Sequence, residues 1–339
     1  MSLLEVTDLR VAFPTEDGLV NAVQGLSFSV DAGQTLGIVG ESGSGKSVAT
    51  QTIMGLTRGA RISGRALFEG RDLLTMSNDE LRTVRGAQIG MIFQDPLSSL
   101  HPQYRVGWQI VEMIQAHEDV STKDATKRAV ELLGLVGIPQ PDKRVEDYPH
   151  QFSGGMRQRA MIAMALALNP RLLIADEPTT ALDVTVQAQI IDLIERLQRE
   201  FNTAVIMITH DLGVVADIAD QVMVMYAGKA VEMAERRPLY YDPRHPYTEG
   251  LIASIPAGEG GHDRLTPIKG QPPSLINLPP GCSFHPRCPK VMDRCRTDIP
   301  TLQPLTDDAQ HQVSCWLSAG TVAAGPAAST AVGAGKESR

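Results

Sequence analysis

Short apolar runs alternate with segments of helical periodicity through most of the chain. Two alternating segments at 3–13 and 20–30 predict a pair of strands, and the run at 35–39 predicts a buried strand followed by a helix at 48–56. Further strands are predicted at 66–68, 89–93, 172–174, 204–209, 221–226 and 229–232, and helices at 79–85, 106–115, 123–136, 156–168, 185–200 and 212–218. This alternation predicts an α/β fold with a mainly parallel sheet and helices on both faces.

The pattern changes twice along the chain. From about 97 to 165 the strand runs disappear and helical periodicity dominates, which predicts a helical subdomain within a first domain at 1–245. Pro and Gly then become frequent, so we expect a small, loop-rich C-terminal domain at 246–317. The tail at 318–339 is nearly all Ala, Gly, Ser, Thr and Val, and we expect it to be disordered.

Composition excludes several classes of protein. The 339 residues suggest two domains, and a net charge of −8 gives no support for a nucleic-acid partner. No apolar run reaches the roughly 18 residues that a membrane span needs. The start of the chain alternates like a strand and has no basic segment, so we expect no signal peptide and a cytoplasmic location.

The segment GESGSGKS at 40–47 fits the phosphate-binding loop pattern and lies between a predicted strand and a predicted helix. Its glycines allow turns in which successive N–H groups face one anion, and the helix N-terminus adds further donors. Lys46 can reach the β- and γ-phosphates, and Ser47 can hold Mg²⁺. The predicted nucleotide contacts are Gly40, Glu41, Ser42, Gly43, Ser44, Gly45, Lys46, Ser47 and Val48.

Two adjacent carboxylates, Asp176 and Glu177, follow the predicted strand at 172–174. Ligands of open α/β sheets bind at the carboxyl ends of the strands, where these side chains are expected. Asp176 is predicted to hold Mg²⁺, directly or through water, and Glu177 to polarise the attacking water. The sequence thus predicts a P-loop nucleoside triphosphatase.

Three motifs in this order, GESGSGKS, FSGGMRQR and LLIADEPTTALD, resemble those of the ATP-binding subunits of ATP-binding-cassette (ABC) transporters. The resemblance implies ATP and Mg²⁺ as cofactors. It also implies that Ser153, Gly154 and Gly155, at the start of a helix, bind the γ-phosphate of ATP held by a partner subunit. Two such subunits would then form a head-to-tail dimer that encloses two ATP molecules.

The same resemblance assigns roles to four further residues. Gln94 would contact Mg²⁺ and water and link the site to membrane subunits. His210 would contact the γ-phosphate, and Asp183 would lie in a loop that acts across the dimer. Phe13 stands where the family has an aromatic residue stacking on adenine, although a core or hairpin position explains it equally well.

The C-terminal segments HPYT at 245–248, IKGQPP at 268–273 and LPPGCSFHPRCP at 278–289 resemble the ATPases of oligopeptide, dipeptide and nickel importers. Met156, where the general family has Gln, is usual in the peptide branch. The implied function is ATP-driven peptide import at the cytoplasmic face of the membrane. The implied partners are a second ATPase subunit, expected to be a paralogue in a heterodimer, two permease subunits and an extracytoplasmic peptide-binding protein.

Three alternatives remain beside peptide import. A nickel or other small-solute importer would use the same motifs. A soluble ABC ATPase that acts on nucleic acid or ribosomes is disfavoured by the single cassette, the lack of heptads and the acidic charge. A non-catalytic nucleotide binder is disfavoured by the Asp176–Glu177 pair and His210.

All four cysteines, Cys282, Cys288, Cys295 and Cys315, lie within a loop-rich stretch of 34 residues. Their spacing matches neither a zinc ribbon nor a ferredoxin run. A disulfide is unexpected in a reducing compartment. Irregularly spaced thiolates suit a 4Fe-4S cluster, which some similar proteins carry. Zn²⁺, with His285 and His311 as spare ligands, and free thiols are the alternatives.

Overall fold

The computed structural model describes residues 2–180, 182–255 and 267–318. Its strands form two sheets. An antiparallel sheet has the order β2-β1-β4-β5, and a larger sheet has the order β11-β12-β10-β9-β3-β8-β7-β6. The strands are β1 Leu4–Thr15, β2 Gly18–Val30, β3 Thr35–Val39, β4 Arg61–Phe68, β5 Arg71–Asp72, β6 Ile89–Ile92, β7 Leu172–Asp176, β8 Ala204–Thr209, β9 Gln221–Tyr226, β10 Lys229–Glu235, β11 Gln303–Pro304 and β12 Gln312–Val313.

The described helices lie between these strands and after them. They are α1 Lys46–Ile53, α2 Asn78–Val84, α3 Pro96–Ser99, α4 Val106–Gln115, α5 Thr122–Leu135, α6 Pro141–Arg144, α7 Gly154–Ala165, α8 Val184–Phe201, α9 Leu212–Ile218, α10 Arg236–Tyr241 and α11 Pro246–Ile252. Helices α3 to α7 follow one another without an intervening strand, in the part of the chain where a helical subdomain is predicted. No described helix is long and apolar enough to span a bilayer.

The central strands of the larger sheet are buried on both faces. In β7, Leu172 and Ile174 pack with the antiparallel sheet and α1, whereas Leu173 and Ala175 pack with the helical subdomain and α8. Because a strand alternates its side chains between the two faces, an uninterrupted apolar run satisfies both cores at once. This is why the sequence shows short apolar runs rather than an alternating pattern at these strands.

The parallel pairing brings three strand ends together. β3 pairs with β8, so that Val39 lies opposite Thr209, and β8 pairs with β7, so that Ile208 lies opposite Asp176. The residues that follow these strands are the start of the phosphate-binding loop, Glu177 and His210. The predicted loop and carboxylates therefore share one edge of the sheet.

The C-terminal part of the chain packs on the same sheet. β12 pairs with β10, which is the outermost strand of the larger sheet from the predicted first domain at 1–245, and β11 pairs with β12. Three aromatic residues, Tyr226 of β9, Tyr247 of α11 and Phe284, contact one another in a buried cluster. The predicted domain boundary at residue 245 lies immediately before α11. The predicted disordered tail at 318–339 lies outside the described residues, apart from Ser318.

Candidate nucleotide-binding and catalytic site

The phosphate-binding loop joins β3 to α1 through backbone conformations that only glycine adopts readily. Gly40 and Gly45 have φ values of 151° and 98°. A Cβ atom would lie 2.2 Å from the Met225 carbonyl oxygen at Gly40, and 2.2 Å from that of Ala22 at Gly45. The loop is therefore held between β9 and β2, with the N-terminus of α1 open toward the site.

Lys46 is almost fully buried, with 5% of its surface exposed. Its Nζ donates to the carbonyl oxygens of Gly40 at 2.7 Å and Glu41 at 3.0 Å. Burial lowers the pKa of Lys46, while Glu177, Asp176 and Glu41 oppose this shift. When a nucleotide binds, the ammonium group of Lys46 can exchange these carbonyl partners for phosphate oxygens.

Asp176 and Ser47 meet beneath the loop. The Ser47 hydroxyl donates to Oδ1 of Asp176 at 2.6 Å, and Asp176 is 2% exposed. Burial raises the pKa of Asp176, and the hydrogen bond from Ser47 works against this shift. A carboxylate and a hydroxyl oxygen at this separation are the donor set that Mg²⁺ prefers, so these two residues fit a magnesium ion.

Glu177 is held in a strained conformation by several partners. Its φ is 47°, in the left-handed region, and its N–H donates to the Ile208 carbonyl oxygen at 2.9 Å. Oε2 of Glu177 accepts hydrogen bonds from Gln94 Nε2 at 2.9 Å and Thr180 Oγ1 at 2.8 Å. Nδ1 of His210 lies 3.6 Å from the same oxygen. This arrangement fixes a carboxylate where it can orient a water molecule.

A cavity of about 750 Å³ contains these groups. Its lining is formed by Glu41, Ser42, Gly43, Ser44, Gly45, Lys46, Ser47, Val48, Gln94, Glu177, His210, Leu251, Ser254, Pro267 and Ile268. Most of the predicted site residues are thus brought together. The last four residues come from the C-terminal part of the chain, which was not predicted to form a wall of the cavity.

Glu41 makes further contacts with the C-terminal part of the chain, which were not predicted from the sequence. Its N–H donates to the Tyr247 hydroxyl oxygen at 2.9 Å. Its carboxylate accepts two hydrogen bonds from Arg287, at 2.5 and 2.9 Å. Two of the three C-terminal segments whose resemblance marks the peptide and nickel branch therefore contact the phosphate-binding loop.

Seven of the predicted nucleotide-site residues do not line this cavity in the single chain. Two of them, Gly40 and Asp176, are hydrogen-bonded to the lining residues Lys46 and Ser47, and the other five have separate positions. Ser153 begins α7 and its hydroxyl accepts a hydrogen bond from the Met156 N–H, with Gly154 exposed beside it and Gly155 next in the helix. Asp183 caps α8 by accepting a hydrogen bond from the Val186 N–H. Phe13 lies in β1, half-buried against the core of the antiparallel sheet.

The cysteines are free thiols. Cys295 is buried, and the other three are half-buried. Burial raises the pKa of Cys282, with smaller contributions from Cys295 and Cys288, and burial raises the pKa of Cys315 to about 11. The thiols are therefore near enough to influence one another.

The predicted metal centre is nevertheless not supported. Within 2–180, 182–255 and 267–318, no three His, Cys, Asp or Glu side chains are arranged to hold a metal ion. The proposed spare ligands have other partners. Nδ1 of His285 lies 3.0 Å from the Cys282 carbonyl oxygen, and Nε2 of His311 lies 2.7 Å from Oε1 of Glu232. The side chains as placed fit neither a 4Fe-4S cluster nor Zn²⁺.

Two family sequence models match the chain. The model described as ABC transporter matches residues 23–180, and the model described as Oligopeptide/dipeptide transporter, C-terminal region, matches residues 231–295. The second match includes most of β10, all of α11 and three of the four cysteines. It ends before the two short strands that complete the larger sheet.

Curated proteins similar to the chain extend the match to most of its length. The oligopeptide transport ATP-binding protein OppD of Bacillus subtilis is 55% identical, over 93% of this chain and 88% of its own length. The dipeptide transport ATP-binding protein DppD of the same organism is 52% identical, over 93% and 94%. A solved ATP-binding cassette, in a dimeric post-hydrolysis state bound to ADP and Pi, is 26% identical with a TM-score of 0.63. That match covers 69% of this chain and 99% of the cassette.

Proposed function

The chain belongs to the family of ATP-binding subunits of ABC transporters for oligopeptides and dipeptides, and from this membership we propose that it hydrolyses ATP to drive the import of short peptides. The observation that carries the catalytic part is the position of Glu177. Gln94, Thr180 and His210 surround its carboxylate, which faces the same cavity as Lys46. A fixed base beside a phosphate-binding loop is what hydrolysis of a nucleoside triphosphate requires.

Each side chain has a distinct task in this proposal. The loop N–H groups and Lys46 bind the phosphates of ATP, replacing the carbonyl contacts of the lysine. Ser47 and Asp176 would hold Mg²⁺, which supplies charge neutralisation for the phosphates. Glu177 orients water toward the γ-phosphate and accepts its proton, and His210 donates to the γ-phosphate.

We propose that hydrolysis takes place between two cassettes arranged head to tail. Ser153 and Gly154 are exposed at the start of α7, where the first N–H groups of the helix can bind the γ-phosphate of ATP in a partner subunit. Asp183, at the start of α8, would contact that subunit as well. We propose a paralogue of this chain as the partner, so that the cassettes form a heterodimer.

The remaining partners follow from the same proposal. Two permease subunits would hold the cassettes at the cytoplasmic face of the membrane, and an extracytoplasmic protein would deliver the peptide. Gln94 is suited to link the site to the permeases, because it is exposed and hydrogen-bonded to Glu177. Phe13 remains a proposed adenine contact near the C-terminal end of β1.

Uptake by whole cells tests the function. We expect the Glu177→Gln variant to lose ATP-dependent uptake of labelled peptides, with ATP hydrolysis reduced at least about 100-fold, because the amide cannot accept a proton. ATP binding should persist. The matched control is Glu195→Gln in α8, since Glu195 pairs with Arg199 on the surface. Loss of nickel uptake alone would assign the nickel importer instead, and unchanged uptake of both would favour a cassette outside transport.

The 4Fe-4S cluster predicted from the sequence stays a proposal, and it would require the four cysteine side chains to move from the positions described above. Its support is the chemistry of the donor set, four thiols within 34 residues. Iron and acid-labile sulfide assays on anaerobically purified protein test it. About four irons and four sulfides per chain would support the cluster, and their absence with one zinc per chain would favour Zn²⁺.

A further inference from the structure

Arg287 occupies an unusual position between the two sides of the nucleotide cavity. Its side chain is 4% exposed, although it belongs to a short turn more than 240 residues beyond the phosphate-binding loop. Two of its nitrogens donate to the two carboxylate oxygens of Glu41, at 2.5 and 2.9 Å. A bidentate, charge-assisted pair of this kind is stronger than a neutral hydrogen bond and fixes the orientation of both side chains.

The rest of the guanidinium group is bound to the opposite wall. Nε donates to the Lys269 carbonyl oxygen at 3.1 Å, and Nη2 lies 3.4 Å from the Ile268 carbonyl oxygen. Ile268 lines the cavity. The Cζ atom also lies 5.8 Å from the centre of the Tyr226 ring, and Nη1 donates to the Tyr226 hydroxyl oxygen at 3.4 Å. Arg287 therefore connects the loop and the C-terminal wall directly.

The charge of Glu41 makes this contact important for binding a polyanion. Glu41 is the second residue of the loop, and its carbonyl oxygen and N–H contact Lys46 and Tyr247. A carboxylate there would repel the phosphates of ATP if no cation neutralised it. The bidentate pair cancels that charge and fixes the orientation of the side chain.

We propose that Arg287 is a positioning residue for nucleotide binding, which neutralises Glu41 and holds the phosphate-binding loop against the C-terminal wall of the cavity. This inference rests on the proposed ATPase function and deepens it, because it makes ATP affinity depend on the C-terminal part of the chain. Tyr247 contributes to the same connection through the Glu41 N–H. Arg287 touches neither Glu177 nor its partners, so its effect belongs to binding.

A double-mutant cycle on the full-length chain tests the proposal, with ATP affinity measured by calorimetry. We expect Arg287→Met to weaken ATP binding about tenfold, because it leaves the Glu41 charge without a partner beside the phosphates. Glu41→Gln alone forms the other side of the cycle, because it removes the charge that Arg287 neutralises while the backbone contacts of Glu41 with Lys46 and Tyr247 do not depend on its side chain. The combined variant should return to within about threefold of wild type, since the repelling charge is gone. This recovery separates a role through Glu41 from a general loss of packing.

Further measurements keep the test decisive. In the assembled transporter, Arg287→Met should raise KM for ATP and leave kcat within about twofold of wild type. Should Arg287→Met fail to fold, Arg287→Lys retains the charge without the fork, and we expect about a threefold loss that disappears in the Glu41→Gln background. The control is Lys290→Ala, because Lys290 pairs with Glu249 on the surface of the same region. Its ATP affinity should equal that of wild type.

Two results would overturn the inference: wild-type affinity in Arg287→Met, or a combined variant as weak as Arg287→Met. Neither would affect the proposed function, because wild-type protein would still bind ATP. Failure of the wild-type chain to bind ATP would overturn both.

Discussion

At the scale of single residues, the shape of the phosphate-binding loop requires glycine, because a Cβ atom would not fit at Gly45. Gly45 precedes α1 with φ of 98°, and a Cβ atom there would overlap the Ala22 carbonyl oxygen at 2.2 Å. That oxygen belongs to a strand backbone and cannot rotate away. The loop can keep its shape only if this position remains glycine.

The Gly45→Ala variant should therefore lose ATP affinity by more than about tenfold, because the loop must move away from β2. The measurement is ATP binding by the full-length chain. Gly59→Ala is the matched control, since Gly59 also has positive φ, at 71°, but a Cβ atom there would meet nothing within 4 Å. Equal affinity in the two variants would show that the clash with the Ala22 carbonyl oxygen does not disturb the loop, and it would contradict the prediction.

The sequence was informative about those residues whose chemistry depends on local spacing. Lys46 and Ser47 are adjacent to the loop that needs them, and Asp176 and Glu177 follow a recognisable buried strand. Arg287 carried no such signal, because its partner lies 246 positions earlier. A single Arg in a loop-rich segment resembles any surface cation until the fold places it beside Glu41.

At the scale of elements, α11 is attached to β10 through a buried polar group. Glu232 of β10 is fully buried and accepts hydrogen bonds from the N–H groups of Arg244 and His245, at 2.7 and 3.0 Å. His245 in turn begins α11, where its Nδ1 accepts a hydrogen bond from the Tyr247 N–H at 3.0 Å. A buried carboxylate satisfied in this way fixes the position of the helix.

Burial lowers the pKa of His245 to about 4, below its ordinary value of 6.5, although Glu232 opposes the shift. The folded chain therefore binds fewer protons than the unfolded chain between these two pH values, and stability should fall as pH decreases from 6.5 toward 4. The loss attributable to this group is up to about 3 kcal/mol.

Chemical denaturation across this pH range measures the effect. In His245→Asn, an amide oxygen can still accept the Tyr247 N–H at the start of α11, but the group no longer titrates. The dependence of stability on pH should become shallower than in wild type. His150→Asn is the control, since His150 is exposed, and an equal slope in both variants would contradict the assignment.

Elements with a clear period were predicted well, and short ones were not. The prediction of α4 at 106–115 matches the structure, because its apolar positions recur with helical spacing. β11 and β12 contain two residues each, too few for any alternation to be recognised. They form because β10 offers free backbone groups, which is a property of the folded sheet and not of the local sequence.

At the scale of the whole molecule, the single chain contains only part of the proposed catalytic unit. The exposed start of α7 lies outside the cavity that holds Lys46 and Glu177. A helix start with exposed N–H groups is available to a second subunit. One chain should therefore bind ATP but need a partner for efficient hydrolysis.

We expect Ser153→Arg to retain the ATP affinity of the isolated chain and to abolish ATP-driven association with its partner, because a large side chain blocks the helix start. The association is measured by light scattering in the presence of ATP. All proteins in this experiment also carry Glu177→Gln, so that ATP is bound but hydrolysed only slowly. Ser121→Arg is a matched control. Ser121 also caps an exposed helix start, so both variants lose a cap worth about 1 kcal/mol. Normal association of Ser153→Arg would place the interface elsewhere.

The pairing of β12 with β10 has a consequence for shortened versions of the chain. A protein ending near residue 300 would retain every residue of the proposed nucleotide site but would lack both final strands. The outer side of β10 would then be an open sheet edge, and Glu232 would lose its contact with His311. Open edges recruit other strands, so such a fragment should aggregate even though its catalytic residues are intact.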